Sequence, residues 1–96
     1  MRRTNEQSLG ELIKHFLKSF QLEEKITETR IMTSWEKVMG GPIAHYTEKV
    51  ILRRKVLTVH LTSSVLRNEL SMAKTKIIKM INKELEQEAI EEIIFR

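Results

Sequence analysis

Thr47-Glu48-Lys49-Val50-Ile51-Leu52-Arg53, then Arg54-Lys55, then Val56-Leu57-Thr58-Val59-His60-Leu61-Thr62, is the stretch on which the fold turns. Both flanking runs are short and rich in β-branched residues. In the second, Leu57, Val59 and Leu61 alternate with Thr58, His60 and Thr62, the period of a half-buried strand. The pattern predicts a hairpin of strands 47–53 and 56–62. Its joint, Arg53-Arg54-Lys55, lacks the Gly or Asn that a tight two-residue turn ordinarily uses.

C-terminal to the hairpin the period changes. Ser63 or Ser64 can cap a helix running from about Val65 to Leu85, with Leu66, Leu70, Ala73, Ile77 and Ile81 on its buried side. An acidic stretch from Glu84 to Glu88 then leads into a last strand, Ala89 to Phe95, with Ile93 and Phe95 facing inward.

N-terminal to the hairpin the pattern is helical. Leu9, Leu12, Ile13, Phe16, Leu17 and Phe20 recur at steps of three and four, predicting a helix from about Glu6 to Ser19. Ser8-Leu9-Gly10-Glu11 matches a capping box at its start. A second helical region, about Glu23 to Met39, carries Ile26, Ile31, Trp35, Val38 and Met39, and Thr27 and Thr29 suggest a break near Thr27. Gly40-Gly41-Pro42 ends it, and Ile43 to Tyr46 can make one further turn. Stripes of this kind usually close the core of their own domain. Leu9, Leu12, Phe16 and Phe20 are therefore expected in the core, with docking of a partner helix as the alternative use.

The order helix–helix–strand–strand–helix–strand predicts an α+β fold in which helices cover a three-stranded sheet. The chain has 96 residues, enough for one domain: a helical part over 1–43, then the hairpin, long helix and final strand over 44–96. It contains no cysteine, which excludes disulfides and thiolate metal sites and suits a reducing compartment. No signal peptide and no apolar stretch of membrane-spanning length is evident, so a cytoplasmic location is expected.

Charge is unevenly placed. Residues 1–43 carry a net +1, residues 44–83 a net +7, and residues 84–96 a net −4. On a helical wheel Lys76, Lys79 and Lys83 share one flank of the long helix, while Arg67 and Lys74 lie on another. Like charges at four- and seven-residue steps repel, and a polyanion would relieve the repulsion. With Arg53, Arg54 and Lys55 at the hairpin tip, these residues are candidates to track a phosphate backbone. A solvated helix face with a polar turn is the plainer reading of the same residues. Trp35 lies on an apolar helix face and is expected in the core. Tyr46 and His60 are expected to face outward, where either could stack on a base.

No catalytic chemistry is legible. His15, His45 and His60 form no metal-binding spacing, and every acid is Glu, so no Asp-rich cation loop exists. Gly40-Gly41 follows a helix, whereas phosphate loops follow a strand. There is no nucleophile motif and no carboxylate pair in an apolar run. A non-enzymatic module with no cofactor and no small-molecule substrate is the expectation.

Several pieces, in order, resemble one family. Trp35-Glu36-Lys37-Val38-Met39-Gly40 and Ile43-Ala44-His45-Tyr46-Thr47 resemble the W-x-x-V-x-G…I-A-x-H-T signature of the DciA-like family. Leu57-Thr58-Val59-His60-Leu61 resembles its L-T-V-x-V strand. Ser63 to Leu70 resembles its S-S-x-x-x-x-E-L helix start, and Asn82 with Ile93-Ile94-Phe95-Arg96 its ending. The pieces cover about residues 8 to 96.

The resemblance implies a KH-like domain that binds DNA, single-stranded or at junctions, and the bacterial replicative helicase, which it helps to load or regulate. It implies neither catalysis nor a cofactor. A protein-only adaptor and a KH-like RNA binder are the alternatives, although the G-x-x-G loop of true KH domains is absent. There are two departures: Leu66 stands where the family often has Trp, and the disordered extension of longer members lies outside this sequence.

Overall fold

A computed structural model describes the backbone of residues 2–96 and the side chains of residues 8–96. The elements in order are α1 (Arg2–Met39), α2 (Gly41–His45), β1 (Thr47–Arg53), β2 (Val56–Leu61), α3 (Ser64–Ser71), α4 (Lys74–Leu85) and β3 (Glu92–Phe95). The class is α+β, as expected, and the arrangement is consistent with a KH-like domain.

The sheet has the order β1-β2-β3, with β1 antiparallel to β2 and β2 parallel to β3. The register sets Val50 opposite Val59, Leu52 opposite Leu57, and Leu57 beside Ile93. Alternation puts all of these on one face, where they are buried with Leu61. Ile31 and Trp35 from α1, Leu70 from α3, and Ile77, Ile81 and Leu85 from α4 close over that face. The opposite face, with Ile51, Val56, Thr58, His60 and Ile94, is only half-buried.

The hairpin turn resolves the question left by its sequence. Arg54 (φ 51°) and Lys55 (φ 66°) both adopt the left-handed conformation, which is the geometry of a type I′ turn made without Gly or Asn. That conformation costs an ordinary residue about 1–2 kcal/mol. Local contacts offset it. Arg54 N donates to the Glu24 carboxylate, and Lys55 O accepts from Glu91 N at 2.8 Å and Glu92 N at 3.3 Å.

Four expectations need correction. The two predicted N-terminal helices are one continuous helix, α1. No Gly or Pro interrupts residues 11–39, and Thr29 Oγ1 donates back to Lys25 O at 3.0 Å, holding a weak helix former within the turn. The gap in the apolar stripe has another cause. Glu28 accepts from Leu52 N at 2.8 Å, and Glu24 accepts from Arg54 N one helical turn away. Carboxylates at these positions satisfy the outer edge of β1. The helix ends at Gly40, whose φ of 94° suits glycine alone, and α2 restarts with Pro42 in its first turn.

The second correction concerns Leu9, Leu12, Ile13, Phe16, Leu17 and Phe20. None of them is in the core. All are exposed, Phe16 by 69%. The molecule is 60 Å along its longest axis but only 25 and 20 Å across, because the N-terminal half of α1 runs past the end of the sheet.

Third, the predicted helix 65–85 is two helices. Met72 and Ala73 break it, with Met72 N and Ala73 N donating three residues back to Glu69 O and Leu70 O. Ser71 Oγ donates to Arg67 O at 2.7 Å at the same point, a side-chain competitor that bends helices. The last strand is also shorter than expected, starting at Glu92. Ala89 and Ile90 are buried before it, but outside the ladder.

Candidate nucleic-acid interface

The geometry of α4 follows from its sequence. Ile77, Ile81 and Leu85 recur at four-residue steps and are buried, so the opposite side must face water. Lys76, Lys79 and Lys83 occupy that opposite side and are all exposed. They span seven residues, roughly 10 Å along the helix axis. Among the described residues none of the three is paired with a carboxylate, in contrast with Lys25, Lys37 and Lys55. This is a continuous cationic stripe on a rigid element.

The other candidates sit differently. Arg67 is half-buried, and its Nη1 donates to Leu61 O at 2.9 Å, holding the end of β2. Lys74 is half-buried at the start of α4, on the core side of the stripe. Arg53 and Arg54 are exposed at the hairpin tip, where Arg53 Nη1 donates to Leu52 O at 3.2 Å. Lys55 Nζ lies 3.8 Å from Glu91.

The hairpin tip and the C-terminal end of α4 lie at the same end of the sheet, because the segment after α4 hydrogen-bonds to Lys55 O. They do not merge. Lys79 and Lys83 border an open groove whose far wall carries Glu86, Glu88 and Glu91. That acidic loop is fixed by Asn82, whose Nδ2 donates to Ile90 O at 2.9 Å and whose Oδ1 accepts from Ile90 N at 3.0 Å. Arg30 reinforces it by donating to Leu85 O at 3.1 Å. A band of carboxylates therefore separates the lysine stripe from the hairpin tip.

One cation that shares a face with Arg53 was not singled out from the sequence: Lys49. Lys49, Ile51 and Arg53 lie at two-residue steps on β1, on the face away from the helices, and Lys49 pairs with His60 across the ladder. The alternation of β1 carried this signal. His60 is half-buried on this face, and Tyr46 is 45% exposed with its ring edge-on to His45 at 5.1 Å. Trp35 is in the core, 2% exposed, as its helix face predicted.

Among the described residues no charged side chain is buried, no buried side-chain polar atom lacks a partner, and no group of three or more acids or histidines is placed to hold a metal ion. No helix among them is long and apolar enough to cross a membrane. What the arrangement offers is exposed cationic surface on helix and strand.

The family model described as "Dna[CI] antecedent, DciA" matches residues 8–95. No curated protein matches the chain.

Proposed function

The chain belongs to the DciA family, and from that premise we propose that it is a non-catalytic module that binds single-stranded or junction DNA and a replicative helicase. The observation that carries the DNA half is the unpaired stripe of Lys76, Lys79 and Lys83 on the outer side of α4. Phosphates would displace water and counterions from these lysines at little structural cost. Arg53 and Arg54 at the hairpin tip are a second contact, reached by a strand that bends around the Glu86–Glu91 loop. Arg67 acts chiefly in holding the end of β2, and Lys74, half-buried at the start of α4, lies off the stripe.

Fluorescence anisotropy of a labelled single strand at low salt tests this reading. Each phosphate neutralised on a single strand contributes a slope of about −0.7 in log K against log salt, so five contacts give roughly −3 to −4. Absence of binding at tens of micromolar protein overturns it. Preference for RNA in a competition would instead favour the KH-like RNA reading.

A protein-only adaptor is the second reading, favoured by the exposed apolar side of α1. Neutralising the three lysines separates the two: an adaptor keeps its affinity for helicase, and a DNA binder loses its salt-dependent affinity for DNA.

A further inference from the structure

The protruding half of α1 is the least expected feature of the molecule. At 100° per residue, Leu9, Leu12, Ile13, Phe16, Leu17 and Phe20 fall within an arc of roughly 140°. Glu11, Lys14, His15 and Lys18 lie on the other side of the helix. Further along the same arc come Ile31 and Trp35, which pack on the sheet. The core-facing side of α1 thus continues past the sheet: Leu17 and Phe20 still border grooves shared with the hairpin tip, and Leu9, Leu12, Ile13 and Phe16 line none of them. Leu12 is 64% exposed and Phe16 69%.

We propose that this face pairs with the same face of a second copy, the two helices running antiparallel. The apolar pattern is its own mirror image about the point between Lys14 and His15. Antiparallel pairing about that point sets Leu9 level with Phe20 of the second copy, Leu12 level with Leu17, and Ile13 level with Phe16. A two-fold contact demands this kind of self-complementarity, since one patch must serve as both halves. The edges of the arc are small and uncharged, with Gly10 on one side and Ser19 on the other, so the helices can approach closely. No charged residue between positions 9 and 20 lies within the contact arc.

The area suits a weak contact: covering about half of the surface that six side chains so exposed present removes on the order of 300–400 Å² per copy, roughly 700 Å² in total, at the small end of transient interfaces. The paired particle would carry two lysine stripes, raising its affinity for a long strand through effective concentration.

Sedimentation equilibrium of the full chain tests the pairing. The expected result is an average mass that rises from one chain toward two as protein increases from about 10 micromolar to about 1 millimolar, as suits a weak interface of this size. Phe16→Glu should give one chain at the same concentrations while keeping the unfolding midpoint of dilute, unpaired wild-type protein, because Phe16 is outside the core. Wild-type protein with the mass of one chain throughout, or a Phe16→Glu variant that still pairs, overturns the proposal. Direction is read by cross-linking, since the chain has no cysteine. A mixture of Leu9→Cys and Phe20→Cys proteins should form the mixed disulfide. Leu9→Cys joining to itself, or no cross-link in the mixture, overturns antiparallel pairing.

Discussion

Trp35 Nε1 donates a 2.8 Å hydrogen bond to Thr47 Oγ1, and that hydroxyl donates onward to Ile43 O at 2.7 Å. The relay joins the end of α1, the short α2 and the first residue of β1. It gives the one polar atom of a buried indole a partner, and it sets the angle at which the helical part meets the hairpin. Thr47→Val keeps the shape and removes the acceptor. It should cost about 1–2 kcal/mol, because the indole N–H is left buried and unpaired. Urea unfolding followed through the fluorescence of Trp35, the chain's single tryptophan, measures it directly.

Asn82 clamps the loop between α4 and β3 through two hydrogen bonds to Ile90, itself 1% exposed. Asn82→Ala leaves both backbone groups of Ile90 without partners and should destabilise by about 2–3 kcal/mol. Hydrogen exchange should show the amide of Ile90 losing protection before those of β2. Unchanged stability would mean that the loop is held by Arg30 and Lys55 instead.

Lys55 holds a left-handed conformation that glycine adopts without steric cost. Lys55→Gly should raise stability by up to about 1 kcal/mol, or several degrees in Tm for a domain of this size. The ion pair to Glu91 is exposed and long, so its loss subtracts little. A fall in Tm would show that the Lys55 side chain matters more than its backbone.

The two classes of basic residue should separate cleanly. Replacing Lys76, Lys79 and Lys83 together with Gln should flatten the salt dependence of single-strand binding by about 2 in log–log slope, at three phosphates and 0.7 each, with the unfolding midpoint unchanged. Arg67→Gln should do the reverse. It should lower stability by about 1 kcal/mol through the lost bond to Leu61 O and leave the slope nearly as it was.

Much of the domain could be read in advance where local pattern and burial agree. The alternation of Leu57, Val59 and Leu61 located β2, and those three residues are buried as predicted. The four-residue steps of Ile77 and Ile81 located α4 and, with them, the outward side on which its lysines lie. The stop at Gly40-Gly41-Pro42 was equally plain. The break at Met72 was missed because neither Gly nor Pro marks it. The turn type was hidden because Arg54 and Lys55 carry no local preference for positive φ.

Composition and periodicity by themselves determined the fold class, the strand pairing of the hairpin, the cationic middle and the absence of cysteine chemistry, since each depends on residue type and spacing along the chain. Only the tertiary structure decided what covers each face. Glu24 and Glu28 look like a gap in an apolar stripe until β1 presents its unpaired N–H groups to them. Leu9 to Phe20 look like core until the sheet proves too short to reach them. Arg67 looks like a free phosphate contact until Leu61 O takes its guanidinium. Periodicity tells which side of an element is apolar; the dimensions of the neighbouring elements decide whether that side is buried.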